Sequence, residues 1–162
     1  MGQLKEKIIE MNDAAKQFPN AEDFETIKSQ IQEEKINNKL IVICGPAGSG
    51  KTTNAISKYS ATCIFPYGYR SEPKDLLQAF VIEDGIPQFK ISELDNAMAN
   101  GDTVLFDEGD CLDDKWFNFI ETITTEDEID LSDWGVNDVK GKIKIAPSFK
   151  VIVVFTAPSR CL

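Results

Sequence analysis

An α/β fold, with a parallel sheet sandwiched by helices, is predicted by three features of this 162-residue chain. The runs Leu40-Ile41-Val42-Ile43-Cys44, Thr103-Val104-Leu105-Phe106 and Phe149-Lys150-Val151-Ile152-Val153-Val154-Phe155 are almost continuously apolar, as strands buried on both faces are. Helix-favouring stretches lie between them. The first run also passes through a glycine-rich turn directly into a helical segment.

Residues 1–36 are charged and helix-favouring, with apolar positions Leu4, Ile8, Ile9 and Met11, then Phe24, Ile27 and Ile31, at three- and four-residue intervals. Phe18-Pro19-Asn20 divides them into two helices, and Asn20 or Asp23 caps the second. The expectation is a helical N-terminal arm that packs on the core or on a neighbouring subunit; an ordinary amphipathic surface pair fits equally well. Asn37-Asn38 marks the boundary, so residues 37–162 form the core domain, with its first strand starting at Lys39. A helix is predicted over 51–59, a short strand over 61–65, a loop over 66–73 and a short helix over 74–80. Residues 81–87 read as a turn or small hairpin. Residues 91–100 form another helix, with Ser92 as its cap and Gly101 ending it. After the strand that starts at Thr103, a helix buries Trp116, Phe117, Phe119 and Ile120, a spacing that says core. The Ile129/Leu131 and Ile143/Ile145 alternations flank a Gly- and Asn-containing turn and predict a projecting hairpin with one acidic and one basic arm. That charge split suits cross-strand pairing better than a partner surface.

The glycine-rich turn reads Gly45-Pro46-Ala47-Gly48-Ser49-Gly50-Lys51-Thr52, followed by Thr53. Strand, glycine loop and helix in that order make a phosphate-binding loop. Glycines let successive backbone N–H groups turn inward around an anion, and the helix that follows adds the positive end of its dipole. Lys51 supplies a full charge to the β- and γ-phosphates, and the Thr52 hydroxyl is a ligand for Mg²⁺. From average residue frequencies, the pattern arises by chance in on the order of one chain of this size in a few hundred, before the flanking strand is required. The predicted fold is therefore that of a P-loop NTPase.

The strand that starts at Thr103 ends in two adjacent carboxylates, Asp107 and Glu108. In an open α/β sheet, ligands collect at the C-terminal ends of the strands, where the phosphate loop also sits. Asp107 is then placed to share the Mg²⁺ shell with Thr52, and Glu108 to activate a water for attack on the γ-phosphate. The last strand ends at Thr156, whose hydroxyl is a candidate sensor of the γ-phosphate or of the attacking water.

Net charge is −10 and the isoelectric point about 4.5, which argues against a broad nucleic-acid-binding face. Neither a signal peptide nor a membrane-crossing run is evident, so a cytoplasmic protein is expected. Cys44, Cys63, Cys111 and Cys161 are widely spaced, and histidine is absent. No zinc site of Cys and His is available, Cys44 and Cys63 read as small buried hydrophobes in a reducing compartment, and proton transfer must fall to carboxylates.

GPAGSGKT, DGIPQFKISELDNAMANGDTVLFDEGD, the hairpin segment and APSFKVIVVFTAPS together resemble the AAA+ ATPases, specifically the MoxR and dynein-related branch. The resemblance covers residues 37 to about 160. It implies ATP and Mg²⁺ as cofactors. Lys51 and Thr52 become Walker A residues, Asp107 and Glu108 Walker B residues, and Thr156 the sensor-one position, often Asn in relatives. It also implies a ring, usually a hexamer, in which a neighbour's arginine reaches the γ-phosphate and hydrolysis remodels a protein client. Relatives continue past the sensor into an arginine-finger helix, a fifth core strand and a helical lid. This sequence stops at Leu162 with Arg70 and Arg160 as its arginines, so another chain or further sequence is expected to supply the rest. Two other functions fit the motifs. One is a nucleotide-gated scaffold with little hydrolysis. The other is a P-loop kinase, which the scarcity of arginines disfavours because such enzymes clamp phosphates with arginine-bearing lids.

Overall fold

The apolar runs pair with one another as the centre of a five-stranded sheet, because each is too hydrophobic on both sides to lie at a surface. The computed structural model describes residues 2–66, 72–139 and 141–159. In chain order the elements are α1 (Gln3–Ala15), α2 (Phe24–Ser29), β1 (Gln32–Asn37), β2 (Leu40–Gly45), α3 (Lys51–Tyr59), β3 (Cys63–Pro66), α4 (Pro73–Leu77), β4 (Ala79–Glu83), β5 (Ile86–Lys90), α5 (Glu93–Asn100), β6 (Thr103–Asp107), α6 (Asp114–Thr125), β7 (Glu128–Asp130), β8 (Lys142–Lys144) and β9 (Lys150–Thr156).

The main sheet has the order β1-β2-β9-β6-β3. Four of its strands are mutually parallel, and β1 is antiparallel to β2. Period-two alternation sends successive side chains of each strand to opposite faces. Leu40, Val42, Cys44, Val104, Phe106, Val151, Val153 and Phe155 join the larger core with α1, α5 and α6. Ile41, Ile43, Leu105, Ile152 and Val154 face Ala55 and Ile56 of α3. Cys44 is buried as expected.

The arm is helical only in part. In α1, Leu4, Ile8, Met11 and Ala15 form one buried stripe that belongs to the main core, so α1 packs on the sheet. Asp23 caps α2 by accepting from Thr26 N at 3.0 Å. Residues 32–36, expected to be helical, belong to β1 instead. The bare edge of β2 offers a row of backbone donors and acceptors, and satisfying them outweighs a local helical preference of a few tenths of a kcal/mol per residue. Glu33, Glu34 and Lys35 on the new edge are exposed, which discourages further strand addition.

Helix α4 ends at Leu77, short of the expected residue 80, because the chain leaves for β4. The predicted small hairpin is longer than 81–87: β4 and β5 pair from Ala79↔Lys90 to Glu83↔Ile86 around Asp84-Gly85. It leaves Phe80 and Ile82 61% and 66% exposed. The 126–145 segment does pair, β7 with β8, and Lys142 reaches Glu128 at 3.3 Å, in keeping with its split charges. It does not project freely. A 3-10 turn at Leu131–Trp134 folds it back, so that Ile129, Leu131, Val136 and Ile145 enter the main core and Trp134 meets Phe119 at a centroid distance of 5.0 Å. Trp116, Phe117, Phe119 and Ile120 are buried as their spacing implied.

Ser92 caps α5 in a reciprocal box: its hydroxyl accepts from Asp95 N at 3.3 Å, and Asp95 Oδ2 accepts from Ser92 N at 3.2 Å. Asp95 is 1% exposed, and its Oδ1 has no partner among the described residues. Burial pushes its carboxyl from an ordinary 3.8 up to about 6. Between those values the folded protein holds a proton that the unfolded chain has released, so stability falls as pH rises from about 4 to about 6 and stays lower above. The loss from this group is at most about 3 kcal/mol. Asp95→Asn keeps an acceptor for the cap while removing the charge. Urea unfolding across pH 4–8 should show the variant more stable than the parent above pH 6 by about 1–3 kcal/mol and equal to it near pH 4; parallel curves would refute the assignment.

Candidate active site

Gly45 closes β2 opposite Thr156 of β9, and Ala157 N donates to Gly45 O at 3.0 Å. From there the chain must turn sharply into α3, and it does so through Gly48 and Gly50, whose φ angles of 73° and 77° lie where side chains are disfavoured. A Cβ on Gly48 would meet nothing within 4 Å, so backbone conformation, not crowding, calls for glycine there. Pro46 is half-buried, while Ala47, Gly48 and Gly50 are exposed around the mouth of the loop and Thr53 is exposed in the first turn of α3.

Lys51 begins α3, yet it is only 9% exposed, and its Nζ donates back to Pro46 O at 3.2 Å. Burial pulls its ammonium below the ordinary lysine range, and the carboxylates of Asp107 and Asp110 push in the opposite direction. The Thr52 hydroxyl lies 3.4 Å from both oxygens of Asp107. The structure thus brings Asp107 to the adjacent Lys51 and Thr52, from which it lies more than fifty positions away in sequence.

Asp107 also accepts from Glu108 N at 2.8 Å. Glu108 is exposed, with a φ of 56°. That is an uncommon conformation for a residue with a side chain, and such strain gathers at functional positions. A 3-10 turn at Gly109–Cys111 follows. It folds against β9 so closely that a Cβ on Gly109 would lie 2.6 Å from Val153 Cγ1 and 3.2 Å from Val154 O. Thr156, half-buried, leaves the sheet on β9, the strand between the glycine loop and the acids.

Asp110 was not among the residues expected from sequence. It reads there as a further acid in a polar stretch, but the Gly109 turn swings it back toward Lys51 and lets it accept from Ser159 Oγ at 3.1 Å. A glycine directly after a paired-acid strand end was the available signal. Arg70 and Arg160 lie outside the described residues.

A phosphate chain with Mg²⁺ fits these residues on three counts. The Ser49 hydroxyl is fully buried in the loop without a hydrogen-bond partner among the described residues. A mostly buried ammonium stands at the helix start, where an anion is favoured. Thr52 and Asp107 supply hard oxygen donors of the kind Mg²⁺ takes, one or two from protein with the rest from phosphate and water.

A family model described as an AAA domain of the dynein-related subfamily matches residues 40–160. No curated protein matches the chain significantly. The matched region begins with β2 and contains the glycine loop, the acids and Thr156; α1, α2 and β1 precede it.

Gly109→Ala tests the tight turn. The new methyl has a backbone carbonyl of a central strand on one side, which cannot retreat, so the variant should lose about 1–3 kcal/mol in chemical denaturation. A change below about 0.5 kcal/mol would show that the turn is looser than this geometry.

Proposed function

The chain belongs to the dynein-related subfamily of AAA domains, an ATPase family, and from that premise we propose that it binds ATP with Mg²⁺ and hydrolyses it, using the residues gathered at the ends of β2, β6 and β9. The observation that carries this reading is the meeting of Thr52 with Asp107 at 3.4 Å beside the buried Lys51.

Backbone N–H groups from Gly45 to Thr53 cradle the phosphates. Lys51, already desolvated, gives up little further hydration when an anion arrives, and that anion adds to the push of Asp107 and Asp110 toward the charged ammonium. Ser49 offers its unpaired hydroxyl to a phosphate oxygen. Thr52 and Asp107 hold Mg²⁺, which when bound spreads the charge of the β- and γ-phosphate oxygens. Glu108 orients the attacking water and takes its proton, a role that suits an exposed carboxylate in a chain without histidine. Thr156 reads the γ-phosphate or the water from the neighbouring strand end.

The finer reading is a MoxR-like ATPase. It works as a ring with a neighbour's arginine at each site, and it couples nucleotide state to the assembly or remodelling of a protein client. What supports it is the usual ring assembly of AAA domains and the apolar β4–β5 hairpin, along which Phe80, Ile82 and Ile86 stand exposed. The domain division at residues 36 and 37 belongs to the same proposal, with the N-terminal segment contributing both α1 and the edge strand β1.

Two substitutions separate binding from chemistry. Lys51→Ala should weaken ATP binding by about 10- to 100-fold, the worth of a charge-assisted contact. Unchanged affinity in a fluorescent-nucleotide titration would overturn the loop assignment. Glu108→Gln should bind ATP as the parent does while hydrolysis falls by on the order of 100-fold. Phosphate release at the parental rate would remove Glu108 as the base, and a parent with no turnover at any protein concentration would leave a nucleotide-gated scaffold.

A further inference from the structure

In α1 the buried stripe is apolar except at one position. Asn12 is 1% exposed, and an amide in such surroundings is tolerated only when it is hydrogen-bonded. Its partner is not on a neighbouring helix but on the backbone of one residue just past β9. Ser159 N donates to Asn12 Oδ1, and Asn12 Nδ2 donates to Ser159 O at 3.3 Å. The amide thus holds both backbone groups of Ser159, a contact across 147 positions of sequence.

Ser159 passes this constraint on. Its hydroxyl donates to Asp110 Oδ2 at 3.1 Å, and Asp110 lies in the 3-10 turn that directly follows the paired acids Asp107 and Glu108. An unbroken path therefore runs from α1 through the segment that leaves the Thr156 strand to the turn that follows Asp107 and Glu108. It starts outside the matched residues 40–160, so it belongs to this chain's own N-terminal helix.

We propose that Asn12 is a positioning residue of the nucleotide site, acting through Ser159 on Asp110, and that α1 is a working part of that site. Asn12 touches no reacting group. It fixes the exit of β9, and with it the height of Thr156 and the position of Asp110 in the turn beside Asp107 and Glu108. This rests on reading the site as one for ATP.

The test is a double-mutant cycle on the full chain, with Asn12→Ala, Ser159→Ala and both together, each measured for MgATP affinity, for kcat and KM, and for thermal midpoint. Each single variant should weaken nucleotide affinity or kcat/KM by about 3- to 10-fold, and the double variant should be no worse than the more severe single, because both act through one chain of bonds. Ser159→Thr keeps the hydroxyl and should restore the parental values. Asn12→Ala alone should lower the thermal midpoint, since it removes the amide that bonds both backbone groups of Ser159.

A purely structural Asn12 predicts a different pattern: a lower midpoint for Asn12→Ala, unchanged affinity and turnover per folded molecule, and no effect of Ser159→Ala. That result overturns the proposal, as do losses that multiply in the double variant. Should the parent bind ATP without hydrolysing it, the ATPase reading fails while the affinity cycle still decides the role of Asn12.

Discussion

The site depends on one constraint of strand pairing: β9 lies between β2 and β6 and runs parallel to both. Parallel pairing brings the C-terminal ends of all three strands to one edge, with Gly45 opposite Thr156 and Phe106 opposite Val153. Had β6 entered the sheet in the other direction, Asp107 would leave at the far edge, roughly 15 Å away at about 3.3 Å per residue. No side-chain movement spans that distance. The apolarity of the three strands is what enforces the pairing, because only a position covered by helices on both faces buries them.

On this scaffold the electrostatics are local. The protein as a whole is acidic, at −10, and two carboxylates already face Lys51. Long-range repulsion of a phosphate is nevertheless screened beyond about 8 Å at physiological salt. Within that radius an arriving anion would meet backbone N–H groups, a helix start and a mostly buried ammonium. The same acids have two uses. They oppose the effect of burial on the Lys51 ammonium, and on the proposed function Asp107 with Thr52 would offer oxygens to a cation that travels with the phosphates.

The segment before β2 is structural as much as it is an arm. Helix α1 closes the larger core through Leu4, Ile8, Met11 and Ala15, and β1 pairs the otherwise bare edge of β2, the strand that carries the glycine loop. A loop whose glycines must hold left-handed conformations needs a rigid strand behind it, and an edge strand paired on one side only is the more easily frayed.

Much of the fold and most of the residues that converge at the candidate site were legible in the sequence itself. Residues 40–44 with GPAGSGKT specify a buried strand, a turn open to positive φ and a helix start, all within one local stretch. Ser92 and Gly101 likewise delimit α5 through contacts inside the helix. Asp107 and Glu108 at the end of an apolar run identified themselves by position. What stayed hidden is what depends on distant partners. Residues 32–36 have the composition of a helix and become a strand because the edge of β2 awaits them, and the 126–145 segment folds onto the core because Leu131 and Val136 find burial there. Asn12 carries no local signature, and Asp110 only the glycine before it. Their places follow from the Gly109 turn pressed on β9 and from a clamp on Ser159, contacts between residues far apart in sequence. The chain alone therefore determined the glycine-rich turn and the paired acids of the candidate site, since backbone conformation and hydrophobic pattern are local; the tertiary structure decided which further residues stand behind them, since that requires the strands to be paired first.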